Sequence, residues 1–161
     1  MLIRPVQHND LSTIRQLNEQ AVPHVNSIPI SDFEEFMEMS SFFLVVEIEQ
    51  KVVAYLIVLG PGQSYDSENY RYFSEHYPSF DYVDRIVVSP EYHGKKIGSK
   101  LYAYLVEHSK EQRITCEVNI DPPNPGSTIF HTKLGFKEVG QQLSEGGKKT
   151  VSLMVKELST K

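Results

Sequence analysis

The chain has 161 residues, 40% of them hydrophobic and 23% charged, with a formal net charge of −5, six histidines and a single cysteine. That length predicts a single domain, 1–161, able to bury a substantial core, and the acidic balance speaks against sequence-independent nucleic-acid binding, which needs a basic surface. Cys116 alone rules out an internal disulfide, the histidines lack zinc-site spacing, no apolar run reaches membrane length, and no signal-like hydrophobic region opens the chain, so no metal is expected and the expected compartment is the cytoplasm.

Leu2 to Val6 can form a first strand. Asn9 or Asp10 can cap a helix that runs to about Val22, with Leu11, Ile14, Leu17 and Ala21 on one side and Pro23 as a stop. Ser31 to Met39 reads as a second helix, its Phe33, Phe36 and Met37 stripe serving as core or as a cover for an acceptor pocket. Ser41 to Glu47 and Val52 to Leu59 are rich in β-branched and aromatic residues and flank Glu49, Gln50 and Lys51, which predicts an antiparallel hairpin. Gln63 to Phe80 shows no clear period and carries six aromatic residues. It reads either as a functional lid that touches the acceptor or as an aromatic-anchored loop or short helix that packs down.

Asp84 to Leu101 then gives a strand with Ile86, Val87 and Val88, a turn over residues 91–98, and a helix over Ser99 to Gln112. A helix start offers unpaired N–H groups and a positive dipole end, which suits phosphate. Gly94 and Gly98 allow close backbone approach, while Lys95 and Lys96 add charge. Neither the G-x-x-x-x-G-K-S/T loop nor the G-x-G-x-x-G fingerprint is present. Ile114 to Ile120 forms the next strand, alternating apolar Ile114, Cys116, Val118 and Ile120 with polar Thr115, Glu117 and Asn119. Residues 121–127 are a rigid turn, Thr128 to Leu134 a short helix closed by Gly135, and Phe136 to Leu143 and Thr150 to Leu158 the final strands.

The loop resembles the acetyl-CoA loop of the GNAT N-acetyltransferase superfamily through Val88, Pro90, Tyr92, Gly94, Ile97 and Gly98. His93 stands where that family has Arg or Gln, and Lys96 stands at its middle glycine. A second match, in family order and at about its distance, lies in Asn124, Ser127, Phe130, Lys133, Leu134, Gly135 and Phe136. There His131 takes the place of a tyrosine often proposed to protonate the leaving thiolate. The resemblance implies an α/β fold: a GNAT-like mixed, mostly antiparallel twisted sheet flanked by helices, with splayed strands four and five.

It further implies that acetyl-CoA is the co-substrate. The backbone of Ile86, Val87 and Val88 would pair with pantetheine amides. The N–H groups of His93, Gly94, Lys95, Lys96, Ile97, Gly98 and Ser99 would hold pyrophosphate. Asn124, Ser127 and Phe130 would meet the pantetheine or nucleotide portion. Lys96 is expected to keep ordinary turn or helical dihedrals.

An attacking amine must be neutral, yet its reference pKa is about 10.4, so a base or a desolvating pocket must help. Asp84, on the face of its strand with Ile86 and Val88, and Glu117, on the next strand, are the candidate bases. An ion pair of Asp84 with Arg4, Arg71 or another cation is the competing structural role. His131 is the candidate proton donor. Expected partners are acetyl-CoA and an amine acceptor, small molecule or peptide, with homodimerisation left open. The alternative to an N-acetyltransferase is a catalytically weak acyl-CoA-binding regulatory module.

Overall fold

The structure is a computed structural model that describes residues 1–159; the last two residues of the expected domain lie outside them. The described residues form seven strands and five α-helices in the order β1 (Leu2–Pro5), α1 (Leu11–Gln20), α2 (Ile30–Met39), β2 (Phe42–Ile48), β3 (Lys51–Leu59), α3 (Glu68–His76), β4 (Asp81–Val88), α4 (Ile97–His108), β5 (Arg113–Asp121), α5 (Pro125–Lys133), β6 (Lys137–Ser144) and β7 (Lys149–Glu157). The strands follow the order β1-β2-β3-β4-β5-β7-β6 in one mixed, mostly antiparallel sheet flanked by helices, as expected. Contacts group the chain into two compact units, residues 1–59 with 83–108 and residues 60–82 with 109–161.

The first unit contains the hairpin. Phe42 to Val46 pair with Val58 to Ala54, and Ile48 faces Lys51 across a two-residue turn. Glu49 and Gln50 both have positive φ, 51° and 65°, the twist that a tight hairpin turn needs. Lys51 therefore belongs to β3 rather than to the turn. The core fills from Leu11, Ile14 and Leu17 on α1, Phe33 and Phe36 on α2, Val53 to Leu59 on β3, and Leu101 and Leu105 on α4. Each such side chain contributes about 1.5–3 kcal/mol by leaving water.

Asp10 does not cap α1 with its side chain. Its carboxylate accepts instead from Arg4 at 2.9 and 3.0 Å and from the Gln7 N–H at 2.8 Å. These bonds hold Asp10 below the usual carboxylate range, the Arg4 hydrogen bond foremost.

In the second unit, β7 pairs antiparallel with β5 on one side and β6 on the other. The β4–β5 register is parallel and covers Asp81↔Ile114 and Tyr82↔Thr115. Parallel neighbours need a crossover, and α4 supplies it. From Val83 onward β4 groups with the first unit.

The stretch 63–80 contains a helix, the packed-down alternative rather than the lid. Ser67 caps α3 by accepting from the Tyr70 N–H at 3.2 Å. Tyr70, Phe73 and Phe80 are buried, so the aromatic run is largely core rather than a loose lid. The helix starts also move: α4 begins at Ile97 rather than Ser99 and ends at His108, and α5 begins at Pro125 rather than Thr128. Pro is favoured in the first turn of a helix, where its missing N–H has no intrahelical partner to lose.

Candidate active site

In the first unit the expected site residues lie on β4, on the turn after it and on the start of α4. On β4, Val83, Arg85 and Val87 are buried, while Asp84, Ile86 and Val88 are half-buried on the alternate face. After Val88 a single 3-10 turn, Pro90–Tyr92, leads into Gly94 at φ 79° and Lys96 at φ 63°. Lys96 thus departs from the expected ordinary dihedrals: it takes the left-handed conformation that suits the glycine of the family pattern. For a side-chain-bearing residue this costs roughly 1–3 kcal/mol.

The Lys96 carbonyl accepts the first helical bond, from the Lys100 N–H at 3.1 Å. The N–H groups of Ile97, Gly98 and Ser99 then have no partner within α4. Lys95 lies over the Tyr92 ring, 5.2 Å from its centroid. His93, itself exposed, braces the turn, its Nε2 2.9 Å from the Val88 carbonyl. That carbonyl therefore already accepts a hydrogen bond, a constraint on the pairing expected along Ile86, Val87 and Val88.

Asp84 has the structural partner that competes with catalysis, but the cation is its own neighbour. Arg85 Nε donates to Asp84 Oδ2 at 2.8 Å, and the two side chains are 6% and 5% exposed. Arg4 pairs instead with Asp10 and Glu47, and Arg71 with Asp66. The Arg85 guanidinium also donates to Asn18 Oδ1 at 3.0 Å and to Asn26 through its backbone and side-chain oxygens at 3.3 and 2.9 Å. Tyr55 donates to the same Asn18 oxygen at 2.7 Å. Burial, the leading cause, pushes the Tyr55 phenol well above its ordinary value. Asp84 is therefore one member of a buried polar network that fixes the segment between α1 and α2.

In the second unit, Glu117 projects from β5, and both of its carboxylate oxygens lie against the Tyr82 hydroxyl, at 2.9 and 2.8 Å. Cys116, on the opposite face of β5, is buried, as its apolar set predicts. Asn124 is the N-cap of α5, its Oδ1 accepting from the Ser127 N–H at 3.4 Å. Asn119, Asn124 and Thr128 join Ile120, Pro123, Pro125 and Ile129 around a shallow concavity of about 280 Å³.

His131 is buried, and its ring packs edge-on against Phe130 and Phe136. Its Nδ1 lies 2.8 Å from the Ser127 carbonyl and 3.2 Å from Ser127 Oγ. A carbonyl only accepts, so Nδ1 carries the proton, and Nε2 of the neutral ring is an acceptor. Burial holds the imidazole below its ordinary pKa, against the opposing Ser127 bond. Proton donation from Nε2 would require the imidazolium, the form that burial disfavours.

The acetyltransferase (GNAT) family model matches residues 11–136, a span that takes in both the β4–α4 turn and the β5–α5 turn. This chain belongs to the GNAT acetyltransferase family.

Solved GNAT structures share its fold over nearly the whole length. The ribosomal-protein-alanine N-acetyltransferase of Brucella melitensis superposes with TM-score 0.75 at 21% identity, over 98% of this chain and 100% of that one. The yncA protein of Salmonella typhimurium, solved with its cofactor acetyl-CoA, gives 0.74 at 21%, over 100% and 95%. The ribosomal-protein-S18-alanine N-acetyltransferase of Escherichia coli gives 0.75 at 16%, over 99% and 95%.

Family membership makes the chain an acetyl-CoA-dependent acetyltransferase. Among the described residues of this GNAT chain no group of side chains could hold a metal ion, and no helix is long and apolar enough to cross a membrane. Sequence reasoning missed Tyr82 and Arg85. Strand parity places Tyr82 on the face of Asp84, a signal available in the sequence; nothing local marks Arg85 as a buried hub.

Proposed function

We propose that this GNAT acetyltransferase moves an acetyl group from acetyl-CoA to a primary amine, on a small molecule or a peptide, by direct attack in a ternary complex. The observation that carries the cofactor reading is the turn before α4. Gly94 and Lys96, both at positive φ, lead into a helix start whose first N–H groups are uncommitted within the helix. Such a start suits a pyrophosphate, and Lys95 and Lys96 add charge beside it. The turn therefore suits the phosphates of acetyl-CoA through His93 to Ser99, and Asn124, Ser127 and Phe130 stay proposed contacts for other parts of the cofactor.

Acetyl-CoA supplies an activated thioester. The chain's residues must take a proton from the amine as its nitrogen bonds to the acetyl carbon and the carbon–sulfur bond breaks. We assign Glu117 the role of base, directly or through a water. Asp84 is instead engaged in an ion pair, with the Arg85 guanidinium 2.8 Å from its Oδ2. His131 keeps a proton-donor role only as the imidazolium, and its neutral ring braces α5. The cytoplasm remains the proposed compartment.

Thiol release from acetyl-CoA, measured with small amines and peptides, tests the reading. Because two structural neighbours are ribosomal-protein alanine acetyltransferases, N-terminal alanine peptides belong in the panel. Turnover with at least one amine, lost on changing Gly98 to Leu through weakened acetyl-CoA binding, is the expected result. Acetyl-CoA binding with no turnover across the panel would favour a regulatory binding module.

A further inference from the structure

We infer that Tyr82 is the positioning residue for the catalytic base, a role that rests on the assignment of Glu117 above. Tyr82 is 1% exposed. Its ring is wedged between Tyr70 at 5.6 Å and Phe73 at 5.8 Å. Tyr70 is itself fixed, donating to the Gly60 carbonyl at 2.7 Å and accepting from the Gln63 N–H at 3.0 Å. Tyr82 also sits in the parallel register opposite Thr115. Thr115 and Glu117 share a face of β5, so the phenol reaches one pleat along the ladder to the carboxylate.

The contact to both oxygens is the informative detail. A glutamate has three rotatable side-chain bonds, and a hydroxyl held equally by Oε1 and Oε2 fixes the last of them. The orientation is then set by packing before an acceptor arrives, which is what proton transfer at a defined distance requires. A neutral donor can do this without the counter-charge that Arg85 places on Asp84. The surroundings of the pair are largely apolar. On β7, Leu153 stands opposite Glu117 with Val151 and Val155 to either side, and α3 presents Tyr70 and Phe73. The titratable groups joined to Glu117 by described contacts are Tyr82 itself and, against its ring, Tyr70, whose hydroxyl is committed to Gly60 and Gln63.

The test is Tyr82→Phe, which keeps the ring and removes the donor, combined with Glu117→Gln in a double-mutant cycle. With acetyl-CoA affinity and melting behaviour as controls, Tyr82→Phe should lower kcat roughly tenfold with KM for acetyl-CoA unchanged. Loss of a donor to the charged carboxylate should move the acidic limb of kcat/KM to higher pH, by about half to one unit. In the Glu117→Gln background the same change should have no further effect on kcat. Equal losses in both backgrounds would mean that Tyr82 acts only through packing, and the inference would fall. So would an unmoved limb in Tyr82→Phe while Glu117→Gln still abolishes it. A Glu117→Gln enzyme that keeps its limb would instead remove the base assignment itself.

Discussion

Two strand–turn–helix copies, β4–α4 and β5–α5, are equipped differently. In β4–α4 the strand carboxylate, Asp84, faces a guanidinium, and the helix starts from a left-handed Lys96 with its first N–H groups open. In β5–α5 the strand carboxylate, Glu117, faces a neutral phenol, and the helix start is closed by the Asn124 side chain. A charged partner makes a carboxylate a structural counter-ion, and a neutral one orients it while leaving it able to take a proton. An uncapped helix start invites an anion, while a capped one spends its donors internally. On the proposed function, the first copy would serve phosphate and stability and the second proton transfer.

The sharpest way to break this comparison is to neutralise each carboxylate. Glu117→Gln should cost about 10²–10⁴-fold in kcat and remove the acidic limb of kcat/KM. Asp84→Asn should keep that limb and show its effect mainly as a lower melting temperature. If Asp84→Asn loses the limb and Glu117→Gln does not, the roles are reversed.

Next in size is Arg85→Met. It takes the guanidinium from Asp84 and strips donors from Asn18 and Asn26, so urea unfolding should show a loss of about 3–5 kcal/mol. A loss under 1 kcal/mol would mean that the network is not what holds the segment between α1 and α2.

The buried histidine of the second copy makes a pH prediction. The folded imidazole is held below its ordinary 6.5, so the unfolded chain takes up the proton first. Its contribution is full above about pH 6.5 and is lost as pH falls through the lower folded value. His131→Gln should flatten the fall in unfolding free energy between pH 7.5 and 5.5, by up to about 1.4 kcal/mol per pH unit. An unchanged slope would show that other groups govern that range.

The smallest effects are expected at the two helix starts, with opposite signs. Lys96→Gly relieves left-handed strain and should raise stability by up to about 1 kcal/mol, while weakening acetyl-CoA binding through the lost charge. Asn124→Ala should lower stability by about 0.5–1 kcal/mol. Thermal melts and acetyl-CoA titrations of both variants separate the strain from the ligand effect.

Much of this was written locally. Alternation put Cys116 inward and Glu117 on the opposite face, the apolar and turn patterns placed β2, β3 and β5 to within a residue or two, and two short motifs were enough for the family. Those signals need only neighbours a few residues away, because strand parity and turn chemistry are properties of the local backbone. The sequence did not determine which partner each polar side chain would find. Asp84 could pair with any of several arginines, and only the packed structure selects Arg85 and joins it to Asn18, Asn26 and Tyr55. Glu117 was a candidate base from its place on the polar face of β5, but its partner Tyr82 comes from another strand. Lys96 in a left-handed conformation was unforeseen because propensity disfavours it, and the surrounding turn overrides propensity. Tertiary structure decides such matters because a charge or a hydroxyl has many acceptable partners along the chain, and only packing selects among them.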